Sequence, residues 1–79
     1  MKVPRDVNAS ELITLLERYG YVVVRQTGSH IRLSKKLETG AHVITIPNHR
    51  PIKIGTLQAI VKDVCGTNKW SIVSFYAQL

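Results

Sequence analysis

The chain has 79 residues, with eleven Lys and Arg against five Asp and Glu, a formal charge of +6, and one cysteine. So short a chain buries only about 60% of the surface that its unfolded form exposes, so its apolar residues are needed for packing. That argues against a deep small-molecule cavity and for work on the surface of a large, anionic partner, for which nucleic acid, a membrane surface and an acidic protein are the candidates.

Cys65 alone excludes an internal disulfide and fits a reducing compartment, and its place near the end of a helical pattern makes it a packed thiol. No apolar run approaches bilayer length, and MKVPRDVN lacks the apolar core of a signal peptide, so a soluble, cytoplasmic protein is expected. Residues 1–79 show no repeat, linker or low-complexity tract and are expected to form one domain.

VNASELITLLERYG reads as a helix marked at both ends, with Asn8 capping, Glu11 reaching back, and Gly20 supplying a left-handed stop. Leu12, Ile13, Leu15, Leu16 and Tyr19 give it one apolar stripe to press on a sheet. YVVVRQ is a strand by propensity, broken by a turn at Thr27, Gly28 and Ser29. HIRLS alternates, placing Ile31 and Leu33 on one face and His30, Arg32 and Ser34 on the other. KKLETG reads as a polar turn. AHVITIP is a third strand with Ile44 and Ile46 inward, Val43 and Thr45 outward, and His42, which shares the parity of Ile44 and Ile46, at a frayed beginning.

After the loop NHRPIKIG, TLQAIVKDVCG carries Leu57, Ile60, Val61 and Val64 at helical spacing, with Gly66 closing the helix. The tail TNKWSIVSFYAQL leans to a short helix capped by Thr67 or Asn68, and Trp70, Phe75 and Tyr76 read as core or, alternatively, as a surface for a partner protein or self-association. The expected class is α+β: a helix, a three-stranded antiparallel meander and a helix covering its one apolar face, then a short C-terminal helix.

Histidine is the side chain that titrates near neutrality, and the chain has three, at 30, 42 and 49. Their spacing matches no zinc pattern, and the few carboxylates do not form the cluster that a metal-dependent nuclease uses, so no metal and no cofactor are expected. RNA can still be cleaved through its own 2′-hydroxyl. An imidazole takes that proton, the oxygen attacks the adjacent phosphate, and a second donor helps the 5′-oxygen leave. His30 has Gly28 and Ser29 before it, where backbone N–H groups can approach a phosphate, and Arg25, Arg32 and Lys35 nearby for charge. On local sequence alone, an exposed histidine at a strand start is the favoured account of His30. His49 shares a loop with Arg50 and Lys53 and reads as either a solvent residue or a substrate contact. Lys2, Arg5, Arg18, Lys62 and Lys69 are scattered surface cations, and Gly55 and Thr56 are a helix start.

Taken in order, a capped helix ending in GY, then VVVRQTGSH, ITIPNH and GTLQAIVKDV, resemble the HicA-type toxins of toxin–antitoxin pairs. The resemblance runs from about Ser10 to Val64, with departures at KKLETGAH and in the aromatic tail. It implies a double-stranded-RNA-binding-domain-like fold and a metal-independent endoribonuclease that cleaves mRNA and arrests translation. His30 is then catalytic, with Gly28 and Ser29 shaping the site and His49 as substrate contact or second acid. The implied partners are mRNA and a HicB-type antitoxin that covers the His30 face.

Two other readings use the same fold. A non-catalytic module for duplex RNA would present several lysines at the start of the second helix, where this chain has only Lys53. A regulator acting only through protein contact would show no dependence on His30.

Overall fold

In the computed structural model, which describes residues 3–79, the chain forms α1 (Ala9–Arg18), β1 (Val22–Thr27), β2 (His30–Leu37), β3 (Gly40–Pro47), α2 (Ile54–Asn68) and α3 (Ile72–Tyr76). Lys2 lies outside the described residues. The strands form one antiparallel sheet in the order β1-β2-β3. Cα extents of 32 × 31 × 19 Å fit two layers, a sheet and one sheet of helices laid on it.

The ends of α1 follow from its sequence. The Glu11 carboxylate accepts the Asn8 backbone N–H at 3.1 Å. At the other end Gly20 takes φ +101 while its N–H donates to the Glu17 carbonyl and that of Tyr21 to the Leu16 carbonyl, a Schellman stop. Ala9, Leu12, Leu15 and Leu16 are buried, whereas Tyr19 is 38% exposed and lays its ring against Trp70. Leu57, Ile60, Val61 and Val64 of α2 complete the core from above, over Ile31, Leu33, Ile44 and Ile46 of the sheet.

Three elements end elsewhere than the sequence suggests. β2 runs on through Lys35, Lys36 and Leu37, so KKLETG is mostly strand and the turn is only Glu38 and Thr39. α2 passes through Gly66 and stops at Lys69, whose left-handed φ of 59 does the work expected of the glycine. α3 is capped by Ser71, whose hydroxyl accepts the Ser74 N–H at 3.2 Å; Asn68 belongs to α2 and Thr67 lies inside it. Thr56 makes no cap either, because α2 begins at Ile54 after Lys53. Phe75 and Tyr76 are buried, with Trp70 half-buried against them.

His42 is not frayed. With Gly40 opening β3, it sits inside the strand on the helix side, half-buried. A directed chain of hydrogen bonds passes through it: Lys35 Nζ to Asn68 Oδ1 (2.6 Å), Asn68 Nδ2 to Tyr21 Oη (2.9 Å), Tyr21 Oη to His42 Nδ1 (2.7 Å), and His42 Nε2 to Asp63 Oδ1 (3.2 Å). The Asp63 carboxylate can only accept, so His42 Nε2 carries a proton, and in the neutral ring Nδ1 is then the acceptor for the Tyr21 hydroxyl. Burial pushes the Tyr21 hydroxyl above its ordinary range, opposed by the hydrogen bond from Asn68, so it keeps the proton it donates. Burial also pushes up the Cys65 thiol, in keeping with an inert packed side chain.

Candidate functional site

The two-residue turn Gly28-Ser29 joins β1 to β2. Gly28, at φ +56, supplies the positive dihedral that a tight hairpin needs at this position, and Thr27 is left directly opposite His30. The Asn48 N–H donates to the Ser29 carbonyl at 2.6 Å, tying the turn to the loop after β3.

One irregularity decides what accompanies His30. Strict alternation from the buried Tyr21 would carry Val23, Arg25 and Thr27 to the core side. Instead Val23 pairs with Leu33 and Arg25 with Arg32, leaving Val24 as an extra residue, a β-bulge. Beyond it the parity is reversed. Arg25 and Thr27 therefore join His30 and Arg32 on the bare face of the sheet.

That face is ordered in rows across the strands: Thr27, His30 and Pro47; then Arg25, Arg32 and Thr45; then Val22, Ser34 and Val43. Arg25, Thr27, His30, Arg32 and Thr45 line an open depression of about 250 Å³. Arg25 Nε donates to Thr27 Oγ1 at 3.2 Å. Arg25 and Arg32 face each other as a cross-strand pair, an arrangement that costs free energy when the charges are alike. Among the described residues no carboxylate forms an ion pair with either, the one acidic contact of that kind being Asp63 with His42 on the other face. Two unneutralised guanidiniums beside an exposed imidazole make a receptor for an anion, and Arg forks match phosphate oxygens in pairs.

The structure thus brings Arg25, Arg32 and His30 together, with Gly28 and Ser29 as the adjoining turn. It takes Lys35 away: on the helix side, its ammonium lies 4.7 Å from the Trp70 ring centroid and 5.6 Å from that of Tyr21. His49 is exposed and does not line the depression, although its carbonyl accepts the Ala9 N–H at 3.2 Å and its loop lies at the His30 end of the sheet. Neither Thr27 nor Thr45 is a site candidate in the sequence. Thr45 reads there as outward-facing and Thr27 as part of the turn, whereas Thr27 is the last residue of β1, carried to the His30 face by the bulge.

A second hollow, of about 330 Å³, lies between Tyr19, Lys69, Trp70 and Phe75 and holds no imidazole. Among the described residues no three His, Cys, Asp or Glu side chains gather as a metal-binding group, and no helix is long and apolar enough to cross a membrane.

A profile of the family described as "HicA toxin of bacterial toxin-antitoxin" matches residues 9–64, more than half of the chain. The chain belongs to the HicA toxin family. The match begins with α1 and closes within α2, so it takes in the whole hairpin and the row of residues around His30. Searches of the curated proteins and of the solved structures find no significant match. Membership makes this chain a toxin of a toxin–antitoxin system.

Proposed function

We propose that this HicA-family toxin is an endoribonuclease that cuts mRNA in the cytoplasm, and that its bare sheet face is the active site. The observation that carries this reading is the exposed His30 at one depression with the unneutralised pair Arg25 and Arg32. Arg25 and Arg32 hold the scissile phosphate. His30 takes the proton of the 2′-hydroxyl, the freed oxygen attacks phosphorus, and the bond to the 5′-oxygen breaks as that oxygen gains a proton. The products are a 2′,3′-cyclic phosphate and a 5′-hydroxyl. Gly28 and Ser29 let the backbone approach the phosphate, and His49 serves as a substrate contact or the second acid. A HicB-type antitoxin silences the enzyme by covering this face.

The test uses purified toxin freed of its partner, in EDTA, on a single-stranded RNA. Cleavage is expected with cyclic-phosphate ends, and His30→Ala should lower the rate by about 10²- to 10⁴-fold, the ordinary contribution of one acid–base group. Because His30 is exposed and outside the core, the variant should melt with the wild type. A His30→Ala protein that cuts as fast as wild type sinks the reading.

A further inference from the structure

We propose that Thr27 is a positioning residue that aims the Arg25 guanidinium at the bound phosphate; the inference rests on the phosphate-binding reading above. Thr27 is unremarked by its chemistry, since a hydroxyl before a turn is ordinary. Its placement is what matters. It stands directly across the hairpin from His30, on the same side of the bulge as Arg25, and it lines the same depression.

The Thr27 hydroxyl accepts from Nε of Arg25, the one guanidinium N–H that lies on the chain side of the fork. With that group held, the two terminal nitrogens are left as a forked donor pair, the geometry that suits two phosphate oxygens. Arg25 sits on an edge strand in which every residue is exposed. A long side chain in that setting spreads over many rotamers, and fixing it is a large part of what binding costs. The threonine removes part of that cost before RNA arrives. Its branched side chain is also restricted at χ1, so the hydroxyl is itself held. Thr45, opposite Arg32, makes no comparable hydrogen bond to the guanidinium there, which makes Arg25 the arginine that is held in place beforehand.

The test measures binding of a fluorescent single-stranded RNA oligonucleotide, 2′-O-methylated throughout so that it cannot be cut, by anisotropy across a salt series. Thr27→Val keeps the branched shape and removes the acceptor, and Thr27→Ser keeps the acceptor. Thr27→Val should weaken binding about two- to tenfold, the range of one hydrogen bond, with little change in the salt slope, because Arg25 keeps its charge. Arg25→Gln should weaken binding further and flatten the salt dependence by about 0.7, one phosphate contact on a single strand, the double variant should be no weaker than Arg25→Gln alone, and Thr27→Ser should bind as wild type. Three results overturn the inference while leaving the active-site reading intact: wild-type binding by Thr27→Val, a salt slope that falls as far in Thr27→Val as in Arg25→Gln, or independent losses in the double variant. A wild-type toxin that does not bind the oligonucleotide removes the phosphate-binding reading and this inference with it.

Discussion

His30 and His42 lie on adjacent strands, and the pleat sends them opposite ways. His30 is exposed among cations, with no side-chain hydrogen bond, whereas His42 is enclosed between Tyr21 and Asp63 with both ring nitrogens engaged. Engagement at both nitrogens suits a residue that holds the sheet to α2, and it leaves none free for a substrate. Tyr21→Phe tests that division. Removing the hydroxyl leaves His42 Nδ1 without its donor, while Asn68 keeps its bond to the Val64 carbonyl at 2.8 Å. The loss should cost about 1–3 kcal/mol, seen as a melting midpoint lower by about 4–8 °C for each kcal/mol in a domain of this size. Cleavage by the folded protein should be unchanged, because the network is on the far side of the sheet from His30. At this scale strand parity sorts both histidines, His30 outward and His42 inward with Ile44 and Ile46, but it says nothing of what His42 meets there. The partners of His42 come from α2 and the start of β1, and no local pattern announces a hydrogen-bond chain assembled from distant residues.

The helices and strands show why polarity and glycine mislead as boundary signals. Lys35 looked like part of a turn, yet its stem runs along the helix side and its ammonium ends at Asn68, between the Tyr21 and Trp70 rings. A long amphipathic side chain can thus serve an inward strand position that pattern reading assigns to solvent. Gly66 looked like a helix stop because glycine so often is one. Here it is an exposed interior residue of α2 with nothing within 4 Å of where a Cβ would stand, and its φ is not in the positive region. The two assignments predict opposite signs for Gly66→Ala. A stop would be strained by alanine. An interior helical position should instead be stabilised by about 0.8–1 kcal/mol, readable as a higher urea midpoint with an unchanged slope.

Across the whole molecule, the division of labour is between the two faces of one sheet. Helices α1 and α2 pack over β3 and supply the core, while β1 at the opposite edge is exposed at every residue, with Val22 at 59% and Val24 at 57%. The bulge that turns Arg25 and Thr27 toward His30 also bends this edge, a device that discourages pairing with another chain. YVVVRQ reads in sequence as an uninterrupted strand, because a bulge is set by competition between two anchors. Tyr21 must enter the core at one end, and the two-residue turn fixes Thr27 against His30 at the other. An odd residue between them has to be left out. The face bearing the candidate site is therefore built on the least supported strand of the fold, and amide exchange should show it. Protection in β2, β3 and α2 should approach that of global unfolding, whereas β1 amides paired to β2 should exchange through a cheaper local opening. Measured by NMR in native buffer, β1 amides as slow as those of β3 would contradict this. Adding the 2′-O-methylated RNA should slow exchange in β1 more than in α1, because the ligand then holds Arg25 and Arg32 across the same strand pair that opens.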